Sequence, residues 1–209
     1  MSDDRHWAEF CKRFADVAGR RGHISMTARL TQTEKAAVEW IFAEIFCEAL
    51  AAMEALTIKS LDAGPDPPDF FVNCEGEALS VELVELIDLK TFRNAQDLSA
   101  KDPAKAWLDQ QWSEERYVAA IRKLVNQKGD RYRSQRQSFD VLLIYTDEPW
   151  LAPNDLDLWN RNIGELPIAQ FKGVYVMGSY VPGAARYPLH RIAGSSVKEL
   201  VAARRAGKL

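Results

Sequence analysis

The stretch PDFFVNCEGEALSVELVEL, residues 68–86, decides how this chain is read. Two apolar runs flank a polar turn around Gly76, the pattern of a β-hairpin. Its unusual feature is where the carboxylates fall. Asp69 stands at the mouth of the first strand, and Glu82 and Glu85 lie among the Val and Leu residues of the second. A bare carboxylate in a buried strand is costly unless a cation or hydrogen-bond donors compensate it. Either these groups reach water along one wet face of an edge hairpin, or they hold something positive.

Strand alternation narrows the choice. Ser80, Glu82 and Val84 share one face, while Val81, Leu83 and Glu85 share the other. With the turn centred near Gly76, Asp69 falls opposite Glu82 or Leu83. The Cβ atoms of Asp69 and Glu82 are then roughly 5 Å apart. Two like charges that close favour a divalent metal, or a raised pKa on one of them.

Upstream, Asp3 to Arg20 places Trp7, Phe10, Cys11, Phe14, Val17 and Ala18 at steps of three and four, the mark of an amphipathic helix. Ile24 to Leu30 reads as a short strand or a loop. A second helix opens at Thr31 or Thr33 and runs to about Ala55, with Val38, Ile41, Phe42, Ile45, Phe46, Ala49 and Met53 on its apolar side. Glu44 and Glu48 stand one turn apart on its flank. Leu56 to Leu61 suits a short strand, and Gly64 to Pro68 is a stiff connection that delivers the chain extended into Asp69.

Downstream, Asp88 to Pro103 is polar and without periodicity, a long loop. A helix is expected from about Pro103, stopped at Gly129. Arg122, Lys123, Lys128, Arg131, Arg133 and Arg136 crowd its end. That exceeds what a helix C-terminus needs and suits an anionic partner. Phe139 to Tyr145 is the clearest buried strand, a continuous run rich in branched residues. Phe171 to Met177 is another strand, and Pro188 to Ile192 a last one. The segment between carries a helical turn around Asp155 to Asn160, and a short helix follows Ser195. Helix, hairpin, helix and strands in that order describe an α/β layered domain.

The chain as a whole sets bounds. Its 209 residues suit one domain with an ample core, and no internal repeat or linker divides them. The net charge of −3 gives no global basic excess, so any nucleic-acid contact must be a local patch. Three cysteines and three histidines, scattered without metal-ligand spacing, point to neither a zinc site nor a disulfide framework. With no signal peptide and reduced thiols, a cytoplasmic location is expected. No apolar run approaches the roughly 20 residues needed to span a bilayer, so no membrane partner is expected. Assembly into a homo-oligomer is compatible with the composition.

A helix bearing glutamate, Pro68-Asp69 opening a strand, an acid at Glu82 in the next apolar strand, then a helix and a buried strand resemble the PD-(D/E)XK nuclease superfamily. The matching region runs from about Glu34 to Tyr145. The resemblance implies a restriction-endonuclease-like αβββαβ core at 34–146, with a mixed sheet flanked by helices. Around it a single domain, 1–209, would add an N-terminal helical extension at 1–30 and further strands and a helix at 147–209. It also implies metal-dependent phosphodiester hydrolysis of DNA or RNA. Asp69 and Glu82 would hold Mg²⁺ or Mn²⁺, a lysine would stabilise the attacking water or the developing charge, and a helix glutamate, Glu44 before Glu48, would assist.

One departure stands out. The position two after Glu82, where the superfamily places its lysine, holds Val84. A literal acid-x-lysine triplet exists at Asp88-Leu89-Lys90. It is set aside because Asp88 lies about 20 Å along the strand from the point opposite Asp69. The cation is instead expected from the following helix, Lys128 first and Lys123 second. Nucleic acid would be met by the basic residues from Arg122 to Arg136. The missing strand lysine also keeps open a nuclease-like protein that has lost catalysis and binds nucleic acid or protein. A third reading is a plain α/β interaction protein whose acids are surface groups.

Overall fold

The computed structural model describes residues 32–87, 112–146, 151, 153–179 and 186–208. The expected helix at Asp3 to Arg20, the segment Ile24 to Leu30, the loop from Asp88 with its Asp88-Leu89-Lys90 triplet, and the Pro103 start of the basic helix lie outside the described residues.

Helix α1 spans Gln32–Glu54. Val38, Ile41, Phe42, Phe46, Ala49 and Leu50 recur at helical spacing and are buried, so one face of α1 is committed to a sheet. Met53, expected on that face, is exposed instead. Three antiparallel strands follow: β1 (Ile58–Ala63), β2 (Phe70–Cys74) and β3 (Glu77–Glu85). The β2–β3 turn consists of Glu75 and Gly76, both at positive φ (54° and 104°), which matches the twist of a two-residue hairpin. Asn73 Oδ1 accepts the Gly76 N–H at 2.9 Å and fixes that turn.

The basic helix, α2, runs over Glu114–Gln135. The Ser113 side chain accepts the Arg116 N–H, and Glu114 and Glu115 in the first turn complement the helix dipole. The expected stop at Gly129 is incorrect. Gly129 is a buried helical residue beside Pro167 and Gln170, and α2 ends at Arg136, which adopts the left-handed conformation at φ 55°. Arg131 and Arg133 therefore belong to the helix body. The chain then enters β4 (Phe139–Tyr145), every residue of which is buried. Helix α3 (Pro153–Arg161), β5 (Phe171–Met177), β6 (Leu189–Gly194) and helix α4 (Val197–Arg205) complete the order. A full capping box between Ser196 and Glu199 starts α4.

The strands form one six-stranded mixed sheet in sequence order, β1-β2-β3-β4-β5-β6. The outer pairs are antiparallel, whereas β3–β4 and β4–β5 are parallel. Between β3 and β4 the chain passes through α2. Helices α1 and α4 cover one face, where Phe42, Phe46, Val197 and Leu200 pack on Val81, Leu83, Val141 and Tyr145. Helices α2 and α3 cover the other, where Tyr117, Ile121, Tyr132 and Leu156 pack on Leu142, Ile144, Val174 and Val176. Both faces of the parallel centre are thus dry, which explains the unbroken apolar run of β4.

Candidate functional site

The connection from β1 to β2 sets the position of Asp69. Gly64 N donates to Asp69 O at 2.8 Å and Asp66 N to Pro68 O at 3.2 Å, closing a tight loop. A Cβ on Gly64 would sit 1.9 Å from the Pro68 carbonyl oxygen, so only glycine fits. The loop releases Asp69 immediately before β2. The register pairs Phe70 with Val81, which sets Asp69 beside Glu82 and Leu83. The Asp69 side chain takes up the pairing itself, its Oδ2 accepting the Leu83 N–H at 2.6 Å.

Glu82 is only 2 % exposed. It points to the α2 side of the sheet, on the same face as Val84, which packs against that core. One oxygen, Oε1, accepts from Lys128 Nζ at 2.6 Å and from the Tyr132 hydroxyl. The other, Oε2, is buried and has no hydrogen-bond partner among the described residues. Lys128 and Tyr132 stand one turn apart on α2, so a single helix face presents both donors. Lys128 keeps 18 % of its side chain exposed, whereas Tyr132 is fully buried.

The electrostatics follow from this crowding. Burial, and next the Glu82 carboxylate, push the Asp69 carboxyl up to about 7, against the opposing pull of the Leu83 N–H and Lys128. Glu39 of α1 adds to the upward push. Burial and the bond to Glu82 raise the Tyr132 hydroxyl, which keeps it a donor. On the α1 side, Lys35 pairs with Glu39 at 3.1 Å. Burial disfavours the Lys35 ammonium, and Glu39, Asp69 and Asp66 more than offset that. The Tyr145 hydroxyl is raised by burial first and then by Glu85, Glu39 and Asp69. Glu85 thus lies with the α1-face acids, and strand alternation keeps it away from Glu82.

Of the residues expected from sequence, Asp69, Glu82 and Lys128 come together. Glu44 does not join them. It accepts the Trp40 indole N–H at 2.9 Å within its own helix, and the α1 carboxylate that acts on Asp69 is Glu39. Lys123 is exposed on α2, five residues and well over one turn from Lys128. Tyr132 and Glu39 are the participants that sequence reasoning missed. Tyr132 looks like a core aromatic, but its spacing of four from Lys128 was a legible sign that both reach the same partner.

Asp69 and Glu82 supply hard carboxylate oxygens, the donor set of Mg²⁺ or Mn²⁺. The described residues gather no cluster of three or more His, Cys, Asp or Glu side chains suited to a metal. Mg²⁺ retains several waters and is commonly held by one or two carboxylates, so a pair is a sufficient protein contribution. A buried oxygen without a donor, Glu82 Oε2, is the feature a cation would complete. His190, on the far strand β6, lies 3.8 Å from Asp157 and takes no part.

A second charged cluster sits elsewhere on the sheet. Asp140 accepts from Ser80 N (2.8 Å), Ser80 Oγ (2.9 Å), Lys172 Nζ (3.0 Å) and Arg204 Nη2 (2.7 Å). Every described donor there is already bonded to this carboxylate, so the cluster ties α4 and β5 to β3 and β4. No helix among the described residues is long and apolar enough to cross a membrane. Comparison of the chain with protein-family models, with curated proteins and with solved structures returns no match in any of the three.

Proposed function

We propose that this chain is a metal-dependent phosphodiesterase acting on DNA or RNA, built on a restriction-endonuclease-like αβββαβ core. The observation that carries the reading is Glu82: a carboxylate sealed in the sheet, bonded through one oxygen to Lys128 and Tyr132, bare at the other oxygen, and next to Asp69. A buried acceptor left unpaired costs about 1–3 kcal/mol, and here it belongs to a carboxylate with a second carboxyl group, Asp69, beside it. The order α1, three-stranded meander, α2, parallel β4 also supports it.

In this reading Asp69 and Glu82 hold Mg²⁺ or Mn²⁺. The ion, when bound, lowers the pKa of a water and offsets negative charge on the phosphate. Lys128 takes the place of the strand lysine that Val84 lacks. It pairs with Glu82 and carries positive charge to the site where phosphate charge would develop. Asp69, oriented by the Leu83 N–H, would supply the second carboxylate oxygen to the ion. Lys123, Arg131 and Arg136 are exposed along α2 and would meet the sugar–phosphate backbone.

The test is incubation of the purified protein with single- and double-stranded DNA and RNA and Mg²⁺ or Mn²⁺. Cleavage is expected, abolished by chelator and reduced at least about 100-fold in Asp69→Asn, Glu82→Gln and Lys128→Met. Cleavage that persists in these variants overturns the assignment. One observation favours a second reading, a nuclease-like protein that binds nucleic acid without cutting it: Val84 fills the usual lysine position and packs into the α2-side core. Tight binding of DNA or RNA with no cleavage under any metal would decide for that alternative.

A further inference from the structure

Resting on the metal-site reading above, we infer that Tyr132 is a positioning residue that fixes the orientation of the Glu82 carboxylate, so that one of its oxygens is left open to a cation. Three observations converge on it. The Tyr132 hydroxyl donates to Glu82 Oε1, the oxygen that Lys128 also holds, and the opposite oxygen is left bare in a buried setting. The Tyr132 ring cannot swing away. It meets Phe139 edge-on at 4.8 Å and Phe171 edge-on at 6.2 Å between centroids, and it is fully buried. Arg131 lies over the ring at 5.5 Å.

The physical role differs from that of Lys128. An ammonium on a flexible stem neutralises Glu82 from any of several rotamers. A phenol on a clamped ring sets one direction. With both donors on one oxygen, the carboxylate plane cannot rotate away without losing two hydrogen bonds, and the other oxygen would stay available to a cation. Such outer partners of metal ligands commonly govern affinity by about 10–100-fold. Core packing would explain the ring of Tyr132 but not its hydroxyl, because phenylalanine fills the same space.

The experiment measures Mn²⁺ binding to the full chain by the loss of the free-ion paramagnetic resonance signal, alongside melting without metal. Tyr132→Phe is expected to melt cooperatively and to bind Mn²⁺ about tenfold or more weakly. Glu82→Gln serves as the reference for a lost ligand. If Tyr132→Phe does not melt cooperatively, Tyr132→Met replaces it as a second apolar filler without the hydroxyl, and the same tenfold loss is expected. Wild-type affinity in a folded variant, with binding lost in Glu82→Gln, overturns the role of Tyr132 and leaves the metal site standing. Absence of Mn²⁺ binding in the wild type overturns both.

Discussion

Asp69 carries the sharpest consequence at the scale of single residues. Its folded pKa of about 7 lies above its ordinary value of 3.8, so the native state binds the proton more tightly than the unfolded chain. In the metal-free protein, stability therefore falls as pH rises from about 4 to about 7, and levels off above that. Asp69→Asn removes this slope. Urea unfolding at a series of pH values in chelator should show the wild type losing stability relative to the variant across that window. A flat difference would mean that Asp69 is not held protonated. Divalent cation should reverse the trend, stabilising the wild type more at pH 8 than at pH 5, since a ligand that binds only the folded state must stabilise it.

The same scale shows what the residues alone could tell. A glutamate inside VELVEL advertises itself, because an acid in an apolar strand needs an explanation, and Pro68-Asp69 marks its partner. Helix α1 offers no such contrast. Glu39, Glu44 and Glu48 all lie on a helix whose rotation against the sheet is set by tertiary packing, and the sequence pattern does not say which of them faces Asp69. The structure turns Glu39 that way and leaves Glu44 to bond Trp40. Tyr132 escaped notice because an aromatic among helical apolar positions reads as core, which is also true of its ring.

At the scale of elements, the loop from Gly64 to Asp69 is the part that aims the site. A side chain on Gly64 must displace the Pro68 carbonyl, and that carbonyl precedes Asp69 in the chain. Gly64→Ala should therefore lower the proposed phosphodiesterase activity more than about tenfold while costing about 1–3 kcal/mol in stability. Parallel activity and melting measurements check it, and unchanged activity would mean that the loop does not govern Asp69. The element boundaries illustrate a limit of local reading. The hairpin and β4 fall where alternation and apolar runs place them, but α2 runs through Gly129. Glycine is a weak helix breaker, costing about 1 kcal/mol, and buried Tyr132 three residues on keeps the helix packed on the sheet past it. The C-terminal end was set instead by Arg136 in a left-handed cap, a conformation that an arginine does not announce.

For the whole molecule, Asp140 joins elements far apart in sequence. Burial opposes its charge, but the Ser80 N–H and hydroxyl, Lys172 and Arg204 outweigh that and hold its carboxyl below the ordinary value. Stability from this cluster is present above the unfolded carboxylate pKa, near 4, and is lost as pH falls through the lower folded value. Asp140→Ala should cost about 3–5 kcal/mol at neutral pH and flatten the acid limb of the stability profile. Arg204→Ala leaves Lys172 and Ser80 in place, so about 1 kcal/mol is expected. Equal losses in the two variants, read from chemical denaturation, would mean that the carboxylate is not the hub.

Lys128 and Tyr132 reach Glu82 only because the crossover between two parallel strands turns one particular side inward. Each residue of an α-helix advances the azimuth by about 100°. Inserting a single amino acid between Ser113 and Lys128 would carry both donors off the sheet, even if every side chain named here were retained. The phase of that one helix is thus as much a constraint on descent as the identity of its residues, and lengthening it would be tolerated only in steps near a whole turn.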